Sequence, residues 1–289
     1  MKKFIGFVLS LILGFAVINA YYVWTLSRID WDFSKTKEAR NFNNQAFKIL
    51  VFGNSTALDG INTAEISQSI GSSYNFSVGG ASLETNYVQF KEYLKQNQKP
   101  DKVLLFLSSC HVNYNKVYEV NPIVDYYYLN SPLSGLAQLP LFKFRWLFIE
   151  NIKKIISSDH RSATVVAGQL RINKSIPDTS VERIGNCPGQ VDYSNNGYRY
   201  MIEFAKTCHA QNIDLFVFEM PGWKRFQNSC PDDSFAISEY RVPIFNLNSY
   251  EICNSLLNPK TDWLSENHLN YTGSVKLTNK VIEILGKVD

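Results

Sequence analysis

Three polar segments of the chain carry residue types that suit acyl-group chemistry. The first places Ser55 just after an apolar run and Gly53, where the chain must turn. The second contains a glycine pair ending in Gly80, whose bare backbone lets N–H groups approach a ligand closely, as an oxyanion hole requires. The third contains His268, and a serine hydroxyl becomes a strong nucleophile when such a base takes its proton. Singly, each segment also suits an ordinary turn or loop. Together they are more specific than any one of them, and they make Ser55 and His268 a candidate nucleophile and base.

The elements around these segments predict an α/β fold. Apolar runs of strand length lie at residues 47–52, 73–78, 102–107, 213–218 and 242–247. Helical patterns lie at residues 63–70, 82–96, 195–211 and 271–288. Apolar strands that alternate with helices are typical of a parallel sheet covered on both faces, so we expect a flavodoxin-like, doubly wound parallel sheet. Ligands of such sheets bind outside the carboxyl ends of the strands. The three polar segments follow the first, second and last strands.

In order and local pattern, the three segments resemble the SGNH/GDSL hydrolase superfamily. That family has a Gly-Asp-Ser block, then an Asn-x-x-x-x-Gly turn, and finally Asp-x-x-His before the last helix. Ser55 matches the nucleophile, Asn75 and Gly80 match the turn, and His268 matches the base. The resemblance covers roughly residues 46–110 and 195–289. It implies an SGNH-type sheet, a Ser–His hydrolase or acyltransferase, and no cofactor. The chain looks closest to anchored members associated with acyl groups on envelope polysaccharides and teichoic acids.

The acid of the triad departs from the family pattern. Ser265 stands three residues before His268, where the family has aspartate, and Asn54 stands where the first block has aspartate. Asp262 and Glu266 are nearby carboxylates that could orient the imidazole instead. A Ser–His dyad without an acid is the other alternative.

The family's third block, Gly-x-Asn-Asp, is missing after the third predicted strand. Residues 108–111 read Ser-Ser-Cys-His, and Asn113 follows slightly late. Asn113 is therefore the candidate side-chain donor to an oxyanion hole. Otherwise the hole rests on the backbone amides of Ser55 and Gly80. Losing one such donor typically lowers the rate by about 10²–10³ without abolishing it.

The chain begins with a segment that suits a membrane anchor. Two lysines precede an uncharged run at residues 4–24 that ends in aromatic residues, and about 20 helical residues span a ~30 Å hydrocarbon core. Because positive charge tends to stay in the cytoplasm, the rest of the chain is expected outside it. We interpret residues 1–26 as the anchor and residues 27–45 as a polar juxtamembrane spacer. A signal peptide cleaved after Ala20 is the alternative, and it also exports the domain.

Residues 46–289 then form one α/β domain with an insertion at about residues 111–190. The insertion breaks the strand–helix alternation and is expected at the carboxyl edge of the sheet. Long insertions there are often functional, although helical decoration that caps the sheet is the alternative.

Composition excludes some classes of partner. The net charge of the 289 residues is +3, with no basic tract, so no nucleic-acid partner is expected. The histidines show no metal-ligand spacing, so no metal is expected. Of the five cysteines, Cys110 follows a predicted core strand and is expected to be free. The other four could form two disulfides in an oxidising compartment or remain buried thiols: Cys187, Cys208, Cys230 and Cys253.

Two functions follow from these residues. The first is an extracytoplasmic serine esterase, or an O-acyltransferase if a sugar hydroxyl replaces water, acting on acyl esters of envelope glycans or lipids. The second is a catalytically inactive SGNH-like domain that binds a glycan or an envelope-assembly protein. The missing third block favours the second function, whereas the retained Ser55 and His268 favour the first.

Overall fold

A computed structural model describes the following parts of the chain: residues 1–108, 120–129, 139–149, 163–175, 184–185, 198–222, 227–228, 232–237 and 240–288. The helices are α1 Lys2–Ile29, α2 Trp31–Arg40, α3 Ser55–Gly60, α4 Thr63–Ser69, α5 Leu83–Gln96, α6 Pro122–Val124, α7 Pro140–Lys143, α8 Arg199–Gln211, α9 Tyr250–Leu256 and α10 Tyr271–Val288. The strands are β1 Ile49–Phe52, β2 Ser73–Asn75, β3 Lys102–Leu107, β4 Ala163–Val166, β5 Gln169–Ile172, β6 Ile184–Gly185, β7 Asp214–Glu219, β8 Gln227–Asn228, β9 Asp233–Ile237, β10 Tyr240–Asn246, β11 Trp263–Ser265 and β12 His268–Leu269.

The chain divides into two compact units. Unit 1 comprises residues 1–41 and 122–161, and unit 2 comprises residues 42–121 and 162–289. The described residues of the predicted insertion are therefore divided between the two units, with residues 122–149 in unit 1 and residues 163–185 in unit 2.

Unit 2 contains a six-stranded sheet in the order β2-β1-β3-β7-β10-β9. Five neighbouring strands run parallel, and β9 pairs antiparallel with β10 at one edge. The α/β class is confirmed, and each of the five predicted strands is present. All four residues of β1 are buried, as expected for a strand covered on both faces. The edge strand β9 was missed because its short run, Asp-Ser-Phe-Ala-Ile, has little apolar signal.

Short hairpins supplement this sheet. The antiparallel pair β4–β5 comes from the insertion, and β11–β12 forms a second antiparallel pair just before α10. Neither was predicted from the sequence, because strands of two to four residues carry too few positions for a periodic pattern.

Unit 1 begins with the long apolar helix α1, whose side chains are mostly exposed up to Ile18. It is the one helix in the described ranges that is long and apolar enough to cross a membrane, a test that a signal sequence also passes. Asp30 ends α1 and caps α2, because its carboxylate accepts a hydrogen bond from the Phe33 amide at 3.2 Å.

The segment expected to be a polar spacer contains a packed helix. Phe33 and Lys35 of α2 are buried, and Phe33 packs edge-on against Phe144 with ring centroids 4.6 Å apart. Thr36 and Ala39 are buried as well, so α2 is packed despite its largely charged composition.

Candidate active site

Ser55 is held at the carboxyl end of β1 by a constrained turn. Gly53 has no space for a side chain, since an added Cβ would lie 2.5 Å from Ala57 Cβ and 3.0 Å from the Phe106 carbonyl oxygen. Asn54 caps α3: its Oδ1 accepts hydrogen bonds from the Thr56 amide at 3.0 Å and the Thr56 hydroxyl at 2.7 Å. Ser55 is thereby fixed as the first residue of α3.

The Asn54 side chain also connects this turn to the next strand. Its Nδ2 donates to Ser108 Oγ at 2.7 Å, at the end of β3. An amide offers both a donor and an acceptor, so Asn54 can make these contacts where an ionised aspartate could only accept.

His268 reaches Ser55 from the hairpin that precedes the last helix. It lies in β12, opposite Ser265 of β11, and its side chain is 27% exposed. Its Nε2 is 3.5 Å from Ser55 Oγ. The structure therefore brings together the two residues that the sequence paired, which are separated by most of the domain along the chain.

Asp59 contacts the other nitrogen of the imidazole. Its Oδ2 lies 2.7 Å from His268 Nδ1, and its side chain is only 7% exposed. Because an ionised carboxylate can only accept, Nδ1 carries the proton in this arrangement, and the lone pair of a neutral ring lies on Nε2, facing Ser55. Ser55, His268 and Asp59 thus form a continuous chain of polar contacts.

One turn of helix α3 carries both ends of that chain. Ser55 and Asp59 are four residues apart, so their side chains share one face of the helix. This spacing was the available sequence signal for Asp59. Asp59 was not predicted because the family pattern places the acid three residues before the histidine.

The two carboxylates expected near His268 have other positions. Asp262 is fully buried, and its Oδ2 accepts from Lys276 Nζ at 2.6 Å and from the Asn258 amide at 2.7 Å. Glu266 is exposed in the turn between β11 and β12. The carboxylate at His268 Nδ1 is that of Asp59, whereas the Asp262 carboxylate binds the ammonium group of Lys276 in α10.

The far end of α3 is secured by two buried amides. Asn75 Nδ2 donates to the carbonyl oxygens of Ala57 at 3.0 Å and Ile61 at 3.3 Å. Gln169 Nε2, from β5, donates to the Asp59 carbonyl at 3.2 Å. The last carbonyls of a helix have no intrahelical partner, so these contacts fix α3 and with it the spacing of the site. Asn75, which matches the family's second block, therefore holds the C-terminal end of α3 in place.

The candidates for an oxyanion hole are only partly described. Gly80 is exposed with a φ of +63°, a left-handed conformation that glycine adopts without strain, and nothing lies within 4 Å of where a Cβ would be. Asn113 lies outside the described residues, as do His111 and Cys110.

Cys208 and Cys253 are buried free thiols. Burial raises the thiol pKa of both, that of Cys253 to about 12, so neither is a reactive thiolate. Cys187 and Cys230 lie outside the described residues, and the disulfide alternative now rests on that pair. Among the residues that the structure covers, no cluster of three or more His, Cys, Asp or Glu side chains could hold a metal ion.

Comparison with known proteins leaves the family open. No family model matches the chain, and no curated protein matches it. A similar solved structure is described as "a putative platelet activating factor from Streptococcus pneumonia". The two chains are 10% identical, and the match spans 93% of this chain and 98% of the solved one with a TM-score of 0.38.

Proposed function

We propose that this chain is a membrane-anchored serine esterase or O-acyltransferase that uses Ser55, His268 and Asp59. The observation that carries the proposal is the chain of contacts from Ser55 Oγ to His268 Nε2, at 3.5 Å, and from His268 Nδ1 to Asp59 Oδ2, at 2.7 Å. Nucleophile, base and a third group that orients the base are the arrangement that activates a serine.

The chemistry begins at Ser55. Its hydroxyl proton passes to His268 Nε2 while Oγ attacks the acyl carbonyl, giving a tetrahedral oxyanion. The C–O bond to the alcohol then breaks, and the departing alkoxide takes the proton from His268. The acyl group is left on Ser55. Water activated by His268 releases the acid and regenerates the serine.

Asp59 has two roles in this scheme. Accepting from Nδ1 keeps the lone pair of the neutral imidazole facing Ser55, and the carboxylate stabilises the imidazolium that forms during attack. The 3.5 Å separation of Ser55 and His268 is longer than a formed hydrogen bond, but catalytic contacts of this kind often shorten only when substrate is bound.

The oxyanion would be stabilised by backbone amides. Ser55 begins α3, and the first amides of a helix lack intrahelical partners and point toward anions. Gly80 is the second candidate, since its left-handed backbone follows the second strand of the same sheet edge. Asn113 is a third candidate.

The strand order also favours an SGNH-type enzyme. Numbered along the chain, the five parallel strands lie in the order 2-1-3-4-5, the flavodoxin-like order that the resemblance implies. The site follows β1, where the order reverses and such sheets bind their ligands. The acid is the departure, because it comes from α3 rather than from the residue three before the histidine.

Helix α1 supports a location at a membrane, with the domain expected on the extracytoplasmic side. Acyl esters of envelope glycans or lipids are therefore the proposed substrates. A sugar hydroxyl that enters in place of water would make the enzyme an O-acyltransferase, and an assembly protein could deliver that acceptor.

The experiment is acyl-ester cleavage by the full-length protein in detergent, measured with and without a sugar acceptor. Ser55→Ala and His268→Ala should each abolish most turnover, and the double variant should cost little more, because residues that act as a unit are not additive. Ser255→Ala, an exposed serine on α9, is the control and should keep full activity.

An inactive binding domain is the competing function. It would be favoured if wild type and both single variants cleave the ester at the same slow rate while Ser55→Ala complements a deletion strain fully. Products tell the two enzymatic functions apart: free acid indicates hydrolysis, and acylated sugar indicates transfer.

A further inference from the structure

The segment at residues 139–149, here called the interfacial segment, exposes large apolar side chains beside α1. It contains α7 and a second helical turn at residues 145–149. The exposed fractions are 46% for Phe142, 50% for Trp146, 49% for Phe148 and 64% for Ile149. Four large apolar groups within eight residues are unusual for a water-facing surface.

The other face of the segment is packed within unit 1. Phe144 is fully buried and Leu147 is 9% exposed, and both belong to the same apolar cluster as Tyr22 and Leu26 of α1. One face of the segment therefore packs against α1, and the opposite, apolar face is exposed.

Specific contacts set the level at which the segment meets α1. The Leu141 amide donates to Asn19 Oδ1 at 3.1 Å, and the Tyr22 hydroxyl donates to the Phe144 carbonyl at 2.8 Å. The rings of Phe142 and Phe15 have centroids 6.2 Å apart. These contacts lie between Phe15 and Tyr22 of the helix.

That level coincides with the expected boundary of the hydrocarbon core. At about 1.5 Å per residue, Asn19 lies roughly 26 Å and Trp24 roughly 33 Å along the helix from Lys2. A hydrocarbon core is about 30 Å thick. Tyr21 and Trp24 are exposed there, as interfacial aromatic residues are, and Arg28 stacks over the Trp24 ring at 4.0 Å.

The polar groups of the segment suit the same boundary. Lys143 forms an ion pair with Asp125, and Arg145 is exposed and donates to the Phe142 carbonyl at 3.2 Å. Cationic side chains beside exposed aromatic rings are the composition of helices that lie at the headgroup level of a bilayer.

We infer that the interfacial segment inserts its exposed apolar face into the outer-leaflet interface of the membrane that α1 crosses. The inference rests on the membrane anchor of the proposed function and adds a second membrane contact to it. The occupant of the face is lipid, because the face is continuous with the exposed surface of α1 at the depth where acyl chains meet headgroups. Unit 1 is thereby held against the bilayer by two elements and cannot swing freely about α1.

Tryptophan quenching in vesicles tests this inference. The full-length protein is reconstituted at high lipid-to-protein ratio in phosphatidylcholine whose acyl chains carry bromine. Of the five tryptophans in the chain, Trp24 and Trp146 are the large exposed indoles within the described ranges, whereas Trp263 is 3% exposed in the core of unit 2. Trp146→Phe should remove about half of the lipid-quenched emission, since interfacial tryptophans lie within reach of acyl-chain bromines. Trp263→Phe is the matched control and should leave the lipid-quenched emission unchanged.

Depth and accessibility separate the outcomes. Bromines near the headgroup end of the chain should quench Trp146 more than bromines near the terminal methyl. If Trp146→Phe leaves the lipid-quenched emission unchanged and aqueous iodide quenches Trp146, the segment faces water or an absent protein partner, and the inference is wrong. Protection from both quenchers that is lost on dilution in lipid would assign the face to a second copy instead. If no tryptophan is quenched by bromolipid and alkaline carbonate extracts the protein, the anchor itself fails, which is a different result.

Discussion

Replacing Asp59 by asparagine should reduce catalysis strongly while preserving the fold. The carboxylate Oδ2 is 2.7 Å from His268 Nδ1, so the charge centres of the carboxylate and an imidazolium are about 4 Å apart. At an effective dielectric constant of about 20, unit charges at that distance attract by about 4 kcal/mol. Since about 1.4 kcal/mol corresponds to a factor of ten in rate and His268 is partly exposed, we expect kcat/KM to fall by roughly 10²–10³.

The assay is hydrolysis of a short-chain nitrophenyl ester, with the melting temperature measured alongside. Glu266→Gln is the matched control: it removes the same charge two residues from His268, but from an exposed turn. It should stay within about twofold of wild type, because exposed charges are screened by solvent. A loss in Glu266→Gln equal to that in Asp59→Asn, or an unaffected Asp59→Asn, would refute the assignment of the acid to Asp59.

Two further results are expected. Asp262→Asn should lower the free energy of unfolding by about 1–3 kcal/mol, because it weakens a buried set of charged hydrogen bonds, while kcat of the folded protein stays near the wild-type value. Chemical denaturation measures the stability, and active-site titration measures kcat per folded molecule. A loss of kcat without a loss of stability would mean that Asp262 acts in the site. Mass spectrometry of unreduced peptides from the exported protein should recover Cys187 joined to Cys230 and leave Cys208 and Cys253 as thiols. The reason is that strands β6 and β8 pair in parallel, and Cys187 and Cys230 each come two residues after the end of one of them. Alkylation of Cys187 and Cys230 as separate thiols would rule the bond out.

Much of the fold could be predicted because its signals are local. The runs that became β1, β3 and β7 each contain at least four consecutive apolar residues, and such strands occur where both faces of a sheet are covered. The helical pattern at residues 82–96 became α5, which Ser82 caps because its Oγ accepts from the Thr85 amide at 3.1 Å. The two-residue strand β12, which carries His268, has no comparable pattern.

The Ser55–His268 pair could be proposed from sequence, but the carboxylate that contacts His268 could not be assigned. Ser55 and His268 each follow a strand end, so the topology of a parallel sheet brings them to one edge. The partner of His268 depends on which carboxylate a tertiary contact has already engaged. Lys276 engages Asp262, and this leaves Asp59 to meet the imidazole.

The packing of α2 and of the interfacial segment could not be predicted either, because it depends on contacts between residues far apart in the sequence. Each has a mixed composition, and its buried face is defined by a few aromatic residues that contact α1 or each other. Phe33 and Phe144 are far apart in sequence but pack edge-on against each other. A pattern along the chain does not contain such long-range pairs.

Covalent trapping of Ser55 tests the central claim most directly. The full-length protein is treated with a serine-directed fluorophosphonate, and the modified residue is identified by peptide mass spectrometry. We predict one adduct, on Ser55, whose formation slows strongly in His268→Ala and moderately in Asp59→Asn, because the attacking oxygen needs both the base and its orienting carboxylate. The Ser255→Ala control should label at the wild-type rate. An adduct on another serine, or labelling of Ser55 that is unchanged in His268→Ala, would contradict the account.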